Sequence, residues 1–316
     1  MKSLQPVVYT KMVLFTFNPS KIYNPLSEEH LWMDLCENPT AVPLLEQYMG
    51  NIQYLENSHW CLLSKNPEAI YLLEKNVDKI NWGSLSKNPK AIHLLEKNLD
   101  KIQWDMLSSN PNAIHLLEAH LDKVDWFALS GNPNAIHLLD PDKVNWYALS
   151  GNPNALPLLE KNVDKIHWGQ LSGNPNAIHL LEKNLNEVNW FQLSCNPNAI
   201  HLLEKHLDRV IWNWLSENPN AIHLLEQNLD KVDWDRLSMN PNAIHILEKH
   251  PNRVAVRWTL TNPNALHLFC DLDYARMKER TRPLKEELQA YFFHPDRLVR
   301  MAKQSEVEFR TYLQGI

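Results

Sequence analysis

The apolar and polar residues of this chain recur in one order at a nearly fixed spacing. An Asn-Pro step occurs eleven times, each time followed by one polar residue, Ala, an apolar residue, a variable residue and two apolar residues. Successive copies are 22 residues apart, except for one interval of 28 and one of 20. Such a period predicts a solenoid, because one repeat cannot bury its apolar face without its neighbours. The copies begin at Asn38, Asn66, Asn88, Asn110, Asn132, Asn152, Asn174, Asn196, Asn218, Asn240 and Asn262.

The first half of a repeat predicts a helix. In the repeat that starts at Asn88, the Asn side chain suits a helix cap and Pro89 suits the first helical position. The helix is predicted over "PKAIHLLEKN", and Asn98 is expected to end it in a left-handed conformation. Helical projection places five residues on its buried stripe: Ala91, Ile92, Leu94, Leu95 and Leu99.

The second half predicts a short helix of about one turn in "QWDMLS". Trp104 and Leu107 are three positions apart and should face inward, and Ile102 adds an apolar contact in the connection. Gln103 lies in a column of Asn and Asp, which suit a helix cap. We predict that the Trp column is core and anchors one repeat to the next. Its regular members are Trp82, Trp104, Trp126, Trp146, Trp168, Trp190, Trp212 and Trp234.

The fold class that follows is an all-α solenoid, a superhelix of about eleven helix–turn–short-helix repeats with terminal caps. The repeats occupy residues 32–268, and residues 1–31 form an N-terminal cap or a degenerate repeat. Part of the N-terminal segment, "VVYTKMVLFTF", is β-prone. Residues 269–316 are predicted to form a helical cap. Its basic residues form either a solvated surface or a docking patch for an acidic partner: Arg280, Arg282, Arg297 and Arg300.

Composition narrows the possible functions. The formal charge of −6 argues against nucleic acid as the main partner. The four Cys are far apart and form no Cys-x-x-Cys pair, which argues against a disulfide framework or a metal cluster and favours a reducing compartment. The N-terminus lacks the features of a secretory signal, and no apolar run reaches the length of a membrane span. We therefore expect a cytoplasmic protein without a cofactor.

Three segments depart from the repeat. "LLDPDKV" at residues 138–144 is two residues short, and Pro157 replaces a His where it is expected to remove a helical backbone bond. Pro251 shortens a later repeat, in which Val256 takes the Trp position. Each departure should change the superhelical pitch locally.

A column of His residues is the first candidate for chemistry. Successive repeats should lie about a helix diameter apart, ~10 Å, so neighbouring imidazoles cannot share a metal ion. The column is therefore a solvated face or a pH-responsive ladder, since protonation of all 15 His would change the formal charge from −6 to +9. The repeated Glu, as at Glu96, is expected to solvate the helix end. The column comprises His93, His115, His137, His179, His201, His223, His245 and His267.

The positions that vary between repeats are the second candidate. They follow each Trp or precede each Asn-Pro, and the short helix turns them away from the Trp–Leu pair. These residues either bind a partner or pack across to the next repeat. The chain shows no nucleophile–base signature, Gly-rich loop or zincin motif, so we predict no catalytic site. The partner-binding candidates are Met106, Phe127, Tyr147, Phe191, Trp214, Arg236 and Met239.

Two resemblances add expectations. The segment "LSGNPNAIHLLEKN" is similar to the leucine-rich repeat variant, which implies stacked α and 3₁₀ helices. That family's iron–sulfur domain has no matching Cys cluster here. "LSxNPNAIxLLE"-like units and the C-terminal "ELQAYFFHPDRLVRMAKQ" resemble tandem-repeat proteins of giant DNA viruses of amoebae. This resemblance implies a helical solenoid that acts in the infected cell, its viral factory or the particle, with no established activity.

The expected function is a noncatalytic scaffold or adaptor that binds a protein partner over an extended repeat surface. Two alternatives stay open. The chain could bind single-stranded nucleic acid, one base per repeat, or serve as a structural component that responds to pH through its His ladder.

Overall fold

The computed structural model describes residues 15–17, 28–48 and 55–272. The chain forms two compact units, Asn18–Phe269 and a second unit that joins Met1–Phe17 to Cys270–Ile316. In the second unit, strands β1 (Phe15–Phe17) and β2 (Cys270–Leu272) pair antiparallel, with Phe17 opposite Cys270. The β-prone reading of the N-terminal segment is thus confirmed for β1. The predicted C-terminal helices and their basic patch lie outside the described residues.

The unit Asn18–Phe269 is a solenoid of eleven helix pairs in its described residues, which confirms the predicted fold class. One helix of each pair begins at or near the Trp column, and we call it the Trp helix. The Trp helices are α1 (Glu28–Glu37), α3 (Asn57–Lys65), α5 (Trp82–Lys87), α7 (Trp104–Leu107), α9 (Trp126–Gly131), α10 (Trp146–Gly151), α12 (Trp168–Leu171), α14 (Trp190–Cys195), α16 (Trp212–Leu215), α18 (Trp234–Met239) and α20 (Val256–Thr261).

The other helix of each pair carries the His column, and we call it the His helix. Nine are α-helical: α2 (Val42–Tyr48), α4 (Ile70–Lys75), α6 (Ile92–Glu96), α8 (Ile114–Ala119), α11 (Leu156–Glu160), α13 (Ile178–Lys183), α15 (Ile200–Lys205), α17 (Ile222–Gln227) and α19 (Ile244–Lys249). Two are 3₁₀ helices, Ile136–Leu138 and Leu266–Phe269. Further 3₁₀ turns are Pro39–Ala41, Val77–Lys79, Leu99–Lys101, Val163–Lys165 and Pro251–Arg253.

The Asn-Pro step forms a turn before the His helix, so the predicted helix start was too early. The Asn88 side-chain oxygen accepts a hydrogen bond from the Lys90 N–H at 3.0 Å, and the Asn88 carbonyl accepts one from Ala91 at 3.1 Å. The helix itself begins at Ile92. For the same reason Pro157 lies in the first turn of α11, where a missing N–H breaks no helical bond, and its predicted disruption is wrong.

The end of the His helix also differs from the prediction. Asn98 has φ −139° and ψ 53°, so it is not left-handed, and its side-chain amide instead donates to the Leu94 carbonyl at 2.9 Å. Leu99, which was predicted to be buried, is 45% exposed. It begins the 3₁₀ turn after the helix has ended, so the helical projection does not apply to it.

The core lies between the two helix layers and is built from one short set of residues per repeat. Ala91, Leu94, Leu95, Ile102 and Leu107 are buried, as predicted, whereas Ile92 is half-buried. These positions recur around the array, so the core is continuous from repeat to repeat.

The predicted Trp column lies at the edge of the core. Trp60 is 2% exposed, but the eight regular members are half-buried. A cation of the following repeat covers the outer face of seven of these indoles, as when the Lys101 ammonium lies 4.7 Å from the Trp82 ring centroid. Cations attract the negative face of an indole, which explains why this face need not enter the core.

The buried Asn of each Asn-Pro step joins its repeat to the preceding one. The Asn110 side-chain amide donates to the carbonyls of Ser86 at 2.9 Å and Asn88 at 3.1 Å. The same pair of hydrogen bonds recurs at eight other Asn-Pro steps: Asn88, Asn132, Asn152, Asn174, Asn196, Asn218, Asn240 and Asn262. The Asn66 amide donates to the Cys36 carbonyl at 2.9 Å.

The first repeat makes these bonds to the last, so the array closes on itself. The Asn38 amide donates to the carbonyls of Leu260 at 2.7 Å and Asn262 at 3.1 Å, although 222 residues separate Asn38 from Leu260. The Thr40 hydroxyl donates to the Pro263 carbonyl at 2.9 Å, and α1 packs against α20. The eleven repeats therefore form a closed circle, in which the terminal repeats cover each other's apolar faces.

The Trp helices form the inner layer of the closed circle. Most successive Trp helices pack directly against one another, whereas a His helix packs mainly against the Trp helix that precedes it in the chain. Elements on the inside of a closed curve lie closer together than those on the outside. Residues of a Trp helix that point away from the core therefore face the inner side of the circle.

Candidate partner-binding surface

Most invariant polar side chains of the repeat are occupied by contacts between repeats. The Ser86 hydroxyl donates to the Trp82 carbonyl at 2.7 Å and accepts the Gln103 N–H of the next repeat at 3.1 Å. The Asn112 side-chain amide donates to the Pro89 carbonyl of the preceding repeat at 2.9 Å. Sequence reasoning missed both roles, although the recurrence of Ser and of the second Asn in most repeats was a signal. These residues are not free to bind a ligand.

The His column forms a series of bridges to the repeated Glu. In each bridge the imidazole Nε2 lies 2.7–3.3 Å from a Glu Oε1 of the preceding repeat, and both side chains are about half exposed. The repeated Glu thus binds a neighbouring repeat rather than only solvating its helix end. Among the described residues, no three His, Cys, Asp or Glu side chains form a group that could hold a metal ion. The pairs are His93–Glu74, His115–Glu96, His137–Glu118, His179–Glu160, His201–Glu182, His223–Glu204, His245–Glu226 and His267–Glu248.

The variable positions after the Trp residues bring exposed aromatic rings together in two groups. In the first group, Phe127 stacks on Tyr147 with ring centroids 6.3 Å apart, and Tyr147 lies 4.6 Å from the His167 ring. The Gln170 side-chain amide donates to the Tyr147 hydroxyl at 2.6 Å. Phe127 is 54% exposed and Tyr147 is 46% exposed. Their α-helices, α9, α10 and α12, belong to three successive repeats.

The second group spans the next three Trp helices, α14, α16 and α18. Phe191 is 41% exposed and lies 4.2 Å from the Trp214 ring. The Arg236 guanidinium covers the Trp214 ring at 3.5 Å from its centroid and also pairs with Glu217 at 2.8 Å. The predicted packing across to the next repeat is therefore present at these rings, and they also keep part of their surface exposed. Partner binding at these positions stays a prediction.

We call these two groups the aromatic row: Phe127, Tyr147, His167, Phe191, Trp214 and Arg236. Five of its members are among the predicted candidates. Met106 and Met239, the other two candidates, are half-buried and belong to neither group of ring contacts described above. Sequence reasoning missed His167. It stands in the cap column, where its Nδ1 accepts the Gln170 N–H at 3.2 Å, and its departure from Asn and Asp was the available signal.

The aromatic row is close to electrically neutral. Its one guanidinium is paired with Glu217, and the other polar groups of its members are the Tyr147 phenol, the His167 imidazole and the Trp214 indole N–H. The pKa of the Cys195 thiol is raised, mainly by burial and then by the nearby Glu217 charge, and the opposing effect of Arg236 is smaller. Cys195 beside the row is therefore held as a neutral thiol and lacks the depressed pKa of a nucleophilic Cys.

Comparisons with protein-family models, with curated proteins and with solved structures gave no match to this chain. Within residues 15–17, 28–48 and 55–272, no helix is both long enough and apolar enough to cross a bilayer.

Proposed function

We propose that this protein is a noncatalytic scaffold that binds a protein partner through the aromatic row. The observation that carries the proposal is the exposure of Phe127, Tyr147 and Phe191 at 54%, 46% and 41% on consecutive or nearby repeats. Aromatic and Arg side chains dominate the binding energy of protein interfaces. Here they cluster in one row, while the recurring polar residues are engaged between repeats.

The packing of the row favours binding to a partner segment. Each exposed ring already contacts a ring or cation of the next repeat, so its rotamer is restricted before a partner arrives. Immobilising a free side chain on binding costs about 0.5–1.5 kcal/mol, and a restricted ring loses less. The neutral character of the row and the formal charge of −6 favour a peptide with apolar side chains over single-stranded nucleic acid.

The test is affinity capture of partners from cell lysate by the double variant Phe127→Ala with Phe191→Ala, which we call the row variant. A matched control combines Leu121→Ala with Leu207→Ala, which removes apolar residues of similar exposure, 42% and 45%, from outside the row. The resemblance to repeat proteins of giant viruses supports infected amoebal cells as the source of partners. A protein captured by the wild type and the control, and lost from the row variant, supports the proposal once its binding is reproduced with purified components.

Two results contradict this function. If the row variant captures every partner as well as the wild type does, the row is not the binding surface. Binding of mixed single-stranded RNA at physiological salt, measured by fluorescence anisotropy and lost in the row variant, assigns the row to nucleic acid instead.

A pH-responsive structural role is a second candidate, and the eight His–Glu bridges support it. A neutral imidazole next to a carboxylate donates its Nε2–H, and protonation retains that bond while adding a positive charge. A charged bridge would therefore hold neighbouring repeats together more strongly than a neutral one. The test compares thermal unfolding at pH 7.5 and pH 5.5 for the wild type and for His201→Gln with His223→Gln. A loss of stability on acidification that is equal in both proteins contradicts this role.

A further inference from the structure

A cavity of about 420 Å³ opens where two departures from the repeat meet. The repeat that starts at Asn132 lacks two residues, and the following repeat has Pro157 in the His position. The missing residues correspond to part of the segment that ends a regular His helix, so the His helix of this repeat is reduced to the 3₁₀ turn Ile136–Leu138. Both departures line the cavity, through Pro141 and Pro157.

The shortened repeat uncovers residues that are buried elsewhere. Leu95, Leu117 and Leu159 are fully buried, whereas Leu139 in the same position is only partly buried and lines the cavity. Val144 is likewise partly buried, although its counterpart Ile102 is 6% exposed. Leu139 and Val144 are therefore core residues that the missing segment leaves partly exposed. An apolar ligand in the cavity would bury them again.

The polar groups of the lining are two amides and two ammonium groups. Lys161 and Lys165 both line the cavity, and the lining contains no carboxylate. The Lys165 ammonium lies 4.8 Å from the centroid of the Trp146 ring, which is also part of the wall. Four acidic residues adjoin lining residues in sequence: Asp140, Asp142, Glu160 and Asp164. Asp140 pairs with Lys143 at 3.5 Å and Glu160 with His179 at 2.9 Å. The cavity thus combines an apolar wall with two lysine side chains and no carboxylate in its lining.

The geometry points to a binding site for a small carboxylate with an apolar body, such as an alkanoate or an aryl carboxylate. The volume falls within the roughly 300–1,000 Å³ of small-molecule pockets. The apolar walls take the body of the ligand, and Lys161 and Lys165 take its charge. A phosphate fits less well, because no Arg lines the cavity to bind its oxygens bidentately. This site does not depend on the proposed function of the aromatic row.

The experiment titrates the full-length protein with decanoate by isothermal titration calorimetry. Decanol and decylamine, which keep the chain length and remove or reverse the charge, are titrated in parallel. We expect one decanoate per chain, with decanol at least fivefold weaker and no measurable binding of decylamine. Failure of decanoate to bind at 1 mM, a stoichiometry well above one, or equal affinity for decanol overturns the inference.

Variants assign the binding to this cavity. Lys161→Gln combined with Lys165→Gln, both at exposed positions, should weaken decanoate binding about fivefold or more. The matched control is Lys97→Gln with Lys101→Gln, at the same positions of a regular repeat, and it should stay within twofold of the wild type. Pro157→Phe, at an exposed position that lines the cavity, should fill part of its volume and abolish binding while the helix stays folded. Equal weakening by both Lys pairs, or full affinity in Pro157→Phe, overturns the site.

Discussion

The bond between the first and last repeats makes a prediction that separates a closed circle from an open solenoid. Asn38→Ala removes the two amide hydrogen bonds to Leu260 and Asn262 and leaves both buried carbonyls without that donor. The Asn262 carbonyl keeps the Ala265 N–H as a donor at 3.2 Å, so its loss is one net hydrogen bond, about 1 kcal/mol. The Leu260 carbonyl loses its side-chain donor, and an unpaired buried acceptor costs about 1–3 kcal/mol. Allowing for water that enters the opened contact, we expect the free energy of opening between α1 and α20 to fall by about 2–4 kcal/mol.

Hydrogen exchange measured by mass spectrometry reads this change directly. Every 1.4 kcal/mol corresponds to about a factor of ten, so amides of α1 and α20 should exchange about 30-fold to 1,000-fold faster in Asn38→Ala. In the wild type, these helices should be protected to the same degree as central Trp helices such as α12. The ends of an open repeat array fray, so strong protection at both ends requires closure.

Two variants control for the loss of an Asn in general. Asn174→Ala removes the equivalent bonds to Ser150 at 3.1 Å and Asn152 at 2.9 Å, and it should speed exchange around α10 and α12 but not at α20. Thr40→Asn restores the usual residue at the closing contact, and its exchange should be equal or slower. The circle is not closed if the amides of α1 and α20 exchange in the wild type as fast as unprotected amides and Asn38→Ala does not change the exchange rate at α20.

Three further predictions follow from burial and cation–π contacts. Burial raises the pKa of the Cys36 thiol from 9.0 to about 12. Between these pH values the unfolded chain loses a proton that the native protein keeps. The free energy of unfolding therefore falls as pH rises, by at most about 1.4 kcal/mol per pH unit. Denaturant titrations should show that this free energy falls between pH 8 and pH 10.5 by roughly 2 kcal/mol more in the wild type than in Cys36→Ser. Trp168→Ala should lower the free energy of unfolding by about 2–4 kcal/mol, less than a fully buried Trp, while Phe127→Ala stays within about 0.5 kcal/mol. Glu187 stands where the other seven regular Trp residues have the Lys or Arg that covers their indole. Glu187→Lys should place a cation over Trp168 and raise the free energy of unfolding by about 0.5–1 kcal/mol; urea unfolding that shows no gain would count against a stabilising role of these cations.

The helical solenoid could be predicted from the sequence because its period, its apolar positions and its capping residues are all local signals. The two-helix repeat, the burial of Ala91 and Leu95 and the cap column all follow from spacing along one repeat. The start of the His helix could not be fixed in this way. A capping Asn and a Pro are compatible with a helix at Pro89 and with a turn that delays the helix to Ile92, and contacts with the next repeat decide between them.

Closure of the array was not predictable, because no local signal distinguishes it from an open superhelix. Whether Asn38 meets Asn262 depends on a small rotation per repeat, summed over the whole array. The candidate surface was predicted better. Five residues of the aromatic row were identified as variable positions on one face of the short helix, although their ring contacts depend on the spacing between Trp helices, which sequence alone does not give.

Closure also changes what the irregular repeats can do. In an open solenoid, a shortened repeat alters the pitch, and the ends move freely to accommodate it. In a closed circle, each repeat contributes a fixed share of one full turn, so a shortened repeat must be accommodated within the circle. Its Trp helix, α10, still packs against α9 and α12, and the Asn152 amide still donates to the carbonyls of Ser130 and Asn132. The inner layer therefore stays intact and the missing residues open the outer layer, which is why the two-residue gap appears as a cavity beside Pro157 rather than as a break in the circle.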